Sequence, residues 1–126
     1  MIVYDLDHVQ IAAPRETGVE ERARAFYGGV LGLTEIEKPE SLRERGGVWF
    51  ALGRRELHVG LEDDFRPARK AHPALSVGSL EELRAHLEAA GYSPTEIEET
   101  PNTMRFYVSD PFGNRLEMVW RMEVPW

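Results

Sequence analysis

No cysteine occurs among the 126 residues, so the chain can form no disulfide, offers no thiolate to a metal and has no cysteine nucleophile. That suits a reducing compartment. Basic residues are also few: 15 Lys and Arg against 22 Asp and Glu give a formal charge of −7. Nucleic acid, whose phosphates demand a basic surface, is therefore not an expected partner. No run reaches the roughly 18 apolar residues that a membrane span needs, and the amino terminus has no signal-peptide apolar core. The expected location is the cytoplasm, away from any membrane. A Gly-rich phosphate loop, G-x-S-x-G and H-E-x-x-H are missing too, so the chemistries that depend on them have no support.

What is present is ordinary in bulk and unusual in arrangement. Hydrophobic residues make up 42% and charged residues 29%, as in a globular domain, and the length predicts one domain, 1–126. Within it runs a repeat. Thr34-Glu35-Ile36-Glu37 recurs as Thr95-Glu96-Ile97-Glu98, and His8 and His58 in one half match His72 and Glu117 in the other. Three imidazoles and a carboxylate are a ligand set for a divalent transition metal. Two half-sites related by a pseudo-twofold are expected to converge on one ion.

The periodicities predict the same order of elements in each half. Val3 to Ala13 alternates as a strand, and Thr17 to Val30 carries an apolar stripe of Ala23, Phe26, Tyr27 and Val30 at helical spacing. Strands follow at Leu33–Glu37, Val48–Leu52 and Glu56–Glu62, the last two as a hairpin across Gly53. In the second half, Pro73–Val77 predicts a strand, and Ser79 with Glu82 forms a capping box that opens a helix ended by Gly91. Strands at Thr95–Glu98, Arg105–Ser109 and Arg115–Trp120 complete it. The fold class is α+β: two βαβββ modules, about 3–62 and about 70–121, building a curved, barrel-like sheet.

Strand alternation then sets directions. His8, His58, His72 and Glu117 lie opposite Val9, Leu57, Val59, Leu75, Leu116 and Met118, which pack beneath the helices, so all four face the hollow of the sheet. Gln10 shares the face of His8, and Arg105 and Tyr107 alternate toward the same side. Glu56 shares the face of His58 and is the alternative ligand from that strand. His86 falls outside the pattern, on a helix flank. Trp49, Trp120 and Trp126 read as core or dimer packing, with pocket lining as the alternative.

These motifs resemble a known family. Leu6-Asp7-His8-Val9, Ala25-Phe26-Tyr27 with Val30-Leu31-Gly32-Leu33, Ala71-His72-Pro73-Ala74-Leu75-Ser76-Val77 and Asp110-Pro111-Phe112-Gly113-Asn114-Arg115-Leu116-Glu117 are similar to the vicinal oxygen chelate superfamily. That superfamily includes glyoxalase I, methylmalonyl-CoA epimerase, fosfomycin resistance proteins, extradiol dioxygenases and bleomycin resistance proteins. The resemblance implies metal ligands at His8, His72 and Glu117. His58 stands where glyoxalase I-like members carry Glu and epimerase-like members Gln. Gln10 replaces the Thr of fosfomycin transferases, whereas Tyr107 matches a substrate-contacting Tyr of that branch. The resemblance further implies a homodimer that builds each site from both subunits.

The function expected first is a metal-dependent, glyoxalase-like lyase or isomerase acting on a small molecule with vicinal oxygens. A divalent ion (Ni, Co, Zn, Fe or Mn) would act as Lewis acid toward an enediolate-type intermediate. His8, His58, His72 and Glu117 would hold it, Glu117 would also serve as base, and Tyr107, Arg105 and Gln10 would contact substrate. The second expectation is an Fe(II) extradiol-type dioxygenase using His8, His72 and Glu117 alone. The third is a non-enzymatic small-molecule binding or resistance protein.

Overall fold

A computed structural model describes residues 1–122. Two compact units emerge, divided after residue 66, each organised as β-α-β-β-β among the described residues. Trp126 lies outside the described residues.

In the first unit, β1 (His8–Pro14) leads into α1 (Val19–Ala23), which continues as a π-helical segment through Arg24–Val30. The wider turn shows in the bond from Leu31 N–H to the Phe26 carbonyl, five residues back. It lets adjacent Phe26 and Tyr27 both be buried with Val19 and Ala23. Then come β2 (Thr34–Ile36), a 3₁₀ segment (Glu40–Arg45), β3 (Val48–Leu52) and β4 (Arg55–Glu62). The strand order is β1-β4-β3-β2, with β1 parallel to β4 and the others antiparallel. Ile11, Ala13, Phe50, Leu57 and Val59 form the buried face against the helical segment.

The second unit repeats this plan: β5 (Ala74–Ser76), α2 (Leu80–Ala89), β6 (Glu98–Thr100), β7 (Thr103–Ser109) and β8 (Arg115–Arg121), in the order β5-β8-β7-β6. Ser79 caps α2 by accepting the Glu82 N–H at 3.1 Å, as the capping box predicts. Gly91 ends the helix at φ 90°, with Tyr92 N–H bonded to the Leu87 carbonyl and Gly91 N–H to that of Glu88. The eight strands thus form two four-stranded sheets, one to each unit.

Three departures from the sequence pattern have local causes. The first strand begins at His8 rather than Val3, because its partner β4 begins at Arg55 and leaves residues 1–6 nothing to pair with. The strand expected at Thr95–Glu98 is displaced to Glu98–Thr100. There the Thr95 hydroxyl oxygen accepts the Tyr107 N–H at 2.8 Å, a side chain standing in for a ladder carbonyl. His72 lies just ahead of β5, which starts at Ala74, rather than alongside a strand from Pro73. No described helix is long and apolar enough to cross a membrane.

Candidate functional site

The two sheets place their polar residues by the same register. In the first, Gln10 on β1 pairs with His58 on β4; in the second, Ala74 on β5 pairs with Glu117 on β8. Each paired residue lies two positions after a histidine, His8 or His72. Because side chains recur on one face every second residue, His8 sits on the face of His58 and His72 on that of Glu117. His58, not Glu56, is therefore the register equivalent of Glu117. Glu56 pairs with His8 itself.

In the first unit the rings of His8 and His58 stack at 4.2 Å between centroids. Trp49, cross-strand partner of His58, covers its other face at 3.7 Å and 3° between planes. His58 is thereby only 4% exposed, with Nε2 2.8 Å from Glu56 Oε1. His8 Nδ1 is 2.8 Å from Asp7 Oδ1, which leaves its Nε2 for a ligand. Gln10 lies over Gly60, where a Cβ would come within 2.7 Å of Gln10 Nε2, and both line a cavity of about 420 Å³ with His8, Trp49 and His58.

In the second unit, His72 Nδ1 faces the Lys70 carbonyl at 2.7 Å. A carbonyl only accepts, so Nδ1 donates to it and Nε2 is the nitrogen turned toward Glu117. That Nε2 lies 2.9 Å from Glu117 Oε1, while Arg105 Nη1 donates to Oε2, also at 2.9 Å. Tyr107 meets the His72 ring edge-on at 5.6 Å and is itself covered by the Arg115 guanidinium at 4.1 Å. Glu117 is 8% exposed, and burial acts to raise its carboxyl. The hydrogen bond from His72 and the charge of Arg105 outweigh that and hold it below the usual carboxylate range.

The turn that delivers β8 is fixed by Asp110, buried and accepting the N–H groups of Phe112 at 2.9 Å and Asn114 at 2.8 Å through Oδ1. Gly113 takes φ 90° there. This fixes the start of β8, and with it the position of Glu117.

The donor chemistry fits a divalent metal. A coordinating nitrogen and a carboxylate oxygen 2.9 Å apart repel unless a proton or cation lies between them. Among the described residues no three His, Asp or Glu side chains are arranged so as to hold one ion. The structure brings together His8 with His58, and His72 with Glu117, as two pairs. Arg105, expected to grip substrate, holds Glu117. Sequence pattern did not single out Trp49 as the cover of His58, although the hairpin register of β3 and β4 carried that signal.

A family model described as the Glyoxalase/Bleomycin resistance protein/Dioxygenase superfamily matches residues 6–118. A glyoxalase family protein of Bacillus anthracis is 48% identical, with a TM-score of 0.87 over 95% of this chain and 97% of its own. Two more distant structures share the fold. A lactoylglutathione lyase of Agrobacterium tumefaciens is 21% identical, with TM-score 0.68 over 92% of both chains. A fosfomycin resistance protein of Listeria monocytogenes is 14% identical, with TM-score 0.75 over 95% of both. None of the curated proteins compared is similar to the chain.

Proposed function

Because the chain belongs to the Glyoxalase/Bleomycin resistance protein/Dioxygenase superfamily, we propose that it is a metal-dependent lyase or isomerase acting on a small substrate with vicinal oxygens. The carrying observation is the common register that sets His58 and Glu117 at equivalent points beside His8 and His72. In this reading the four residues hold one divalent ion, in a homodimer. When bound, such an ion would supply Lewis acidity toward the substrate's oxygens. Arg105 keeps Glu117 ionised, so that its carboxylate can coordinate or take a proton from the substrate. The Lys70 carbonyl fixes the tautomer of His72, and Tyr107 stands beside that ring to orient substrate. Gln10, on the face of His8, offers an amide to the same end.

Isomerisation through proton abstraction leaves a trace that needs no knowledge of the true substrate. In D₂O, a panel of α-hydroxycarbonyl compounds should exchange the hydrogen next to the carbonyl only with metal-loaded protein, and Glu117→Gln should abolish the exchange. Exchange at full rate in that variant would remove Glu117 from the role.

A second reading is favoured by one observation. His58 is enclosed by Trp49 and His8 and engaged by Glu56. Should it stay off the metal, His8, His72 and Glu117 form the two-histidine, one-carboxylate set of Fe(II) oxygenases. Oxygen uptake with a catechol after anaerobic iron loading would establish that reading in place of the first.

A further inference from the structure

The first unit carries a cationic pocket in a strongly acidic chain. Around the 420 Å³ cavity that His8 and His58 line stand Arg15, Lys38 and Arg45, and no carboxylate lines it. The chain as a whole carries a formal charge of −7, so the gathering of three cations without an acid runs against its composition. The cations come from three separate stretches. Arg15 follows β1, and Lys38 precedes the 3₁₀ segment. Arg45 ends that segment, where three residues per turn put it on the same side as Leu42, also a lining residue.

Their hydrogen bonds divide them by task. Arg15 is tied to Asp63 at 3.1 Å and to the Leu61 and Arg45 carbonyls at 3.2 and 3.4 Å. Lys38 donates to the Gly46 carbonyl at 2.5 Å. Both thus fix the Arg45–Gly46 backbone. Gly47, next in line, has φ 92°, and a Cβ there would lie 2.3 Å from the Val59 carbonyl oxygen, so the chain runs flush against β4. Glu20 is the nearby acid, and it accepts the Gly47 N–H at 3.1 Å. The Arg45 guanidinium has no hydrogen-bond or ion-pair partner among the described residues.

We propose that this cavity binds the anionic group of the substrate, a carboxylate or a phosphate, with Arg45 as its principal contact and Lys38 as a second charge. A planar guanidinium matches the paired oxygens of either group. Leu42 and Trp49 provide an apolar wall for a short carbon skeleton, and the volume suits a small molecule. The proposal rests on the metal reading above only in placing the reacting end of that substrate toward His8.

The test is an NMR titration of the full chain, freed of metal on a chelating resin, with inorganic phosphate, succinate and uncharged succinamide at constant ionic strength. Saturable shifts of the Gly46 and Gly60 amides and the Trp49 indole are expected with at least one anion and not with succinamide. Which anion binds tells phosphate from carboxylate. Arg45→Gln and Lys38→Gln should each weaken binding about fivefold. Arg54→Gln is the control: Arg54 lies exposed in the turn between β3 and β4 and does not line the cavity, so it should leave affinity within about twofold. The absence of saturable shifts with both anions, or equal weakening by Arg54→Gln, would overturn the assignment. Both outcomes are read without metal, so neither bears on the metal reading.

Discussion

At Glu117 the two carboxylate oxygens are divided between His72 and Arg105, each at 2.9 Å. Burial opposes ionisation there and the two donors outweigh it, so the folded carboxyl titrates below its ordinary value of 4.5. Between those two pH values the unfolded chain binds more protons than the folded one, and stability rises with pH. The contribution is complete above the ordinary value and is lost as pH falls through the folded one. Urea unfolding of metal-free protein between about pH 3 and 6 should therefore show a steeper acid loss for the native chain than for Glu117→Gln. Parallel curves would show that Glu117 has no such linkage. The alternation of β8 made the face of Glu117 legible from sequence. Its hydrogen bond to Arg105 and the bond from His72 to the Lys70 carbonyl were not, because periodicity fixes a face and says nothing of which polar atom meets which.

Helices and turns with strong local chemistry were the most readable elements. Ser79 and Gly91 bound α2 as the capping signals require, because those signals act within one turn. Ser79→Ala should cost about 1 kcal/mol, lowering Tm by about 3–5 °C. Gly47→Ala should cost more, about 2 kcal/mol or above, because φ 92° and a Cβ 2.3 Å from the Val59 oxygen leave no adjustment that spares β4. Calorimetry of the two variants checks the order; a Gly47→Ala protein as stable as Ser79→Ala would contradict the close approach of strand and loop. Elements set by their neighbours were less readable. Nothing in Val3–Asp7 announces that β4 begins too late to pair with it. The displacement of β6 depends on Thr95 meeting Tyr107, twelve residues away. Arg15, Lys38 and Arg45 sit on separate stretches and share no period, so only the folded chain joins them.

For the molecule as a whole, the duplicated plan was legible because it is written twice: βαβββ in both halves, with strand orders that correspond one for one. That correspondence singles out His58 over Glu56. The proposed site draws on both repeats, and the family resemblance implies that such sites are built in a dimer. Sedimentation should therefore give the mass of two chains, and a monomer at every concentration would count against the dimer.

Elemental analysis of the untagged protein and its single-site variants reads out whether His8, His58, His72 and Glu117 together bind one divalent ion. About one equivalent of Ni, Co, Zn, Fe or Mn per chain is predicted, lost together in His8→Ala, His72→Ala and Glu117→Gln. A protein that holds no metal, and that gains no thermal stability from any of these ions, would contradict it.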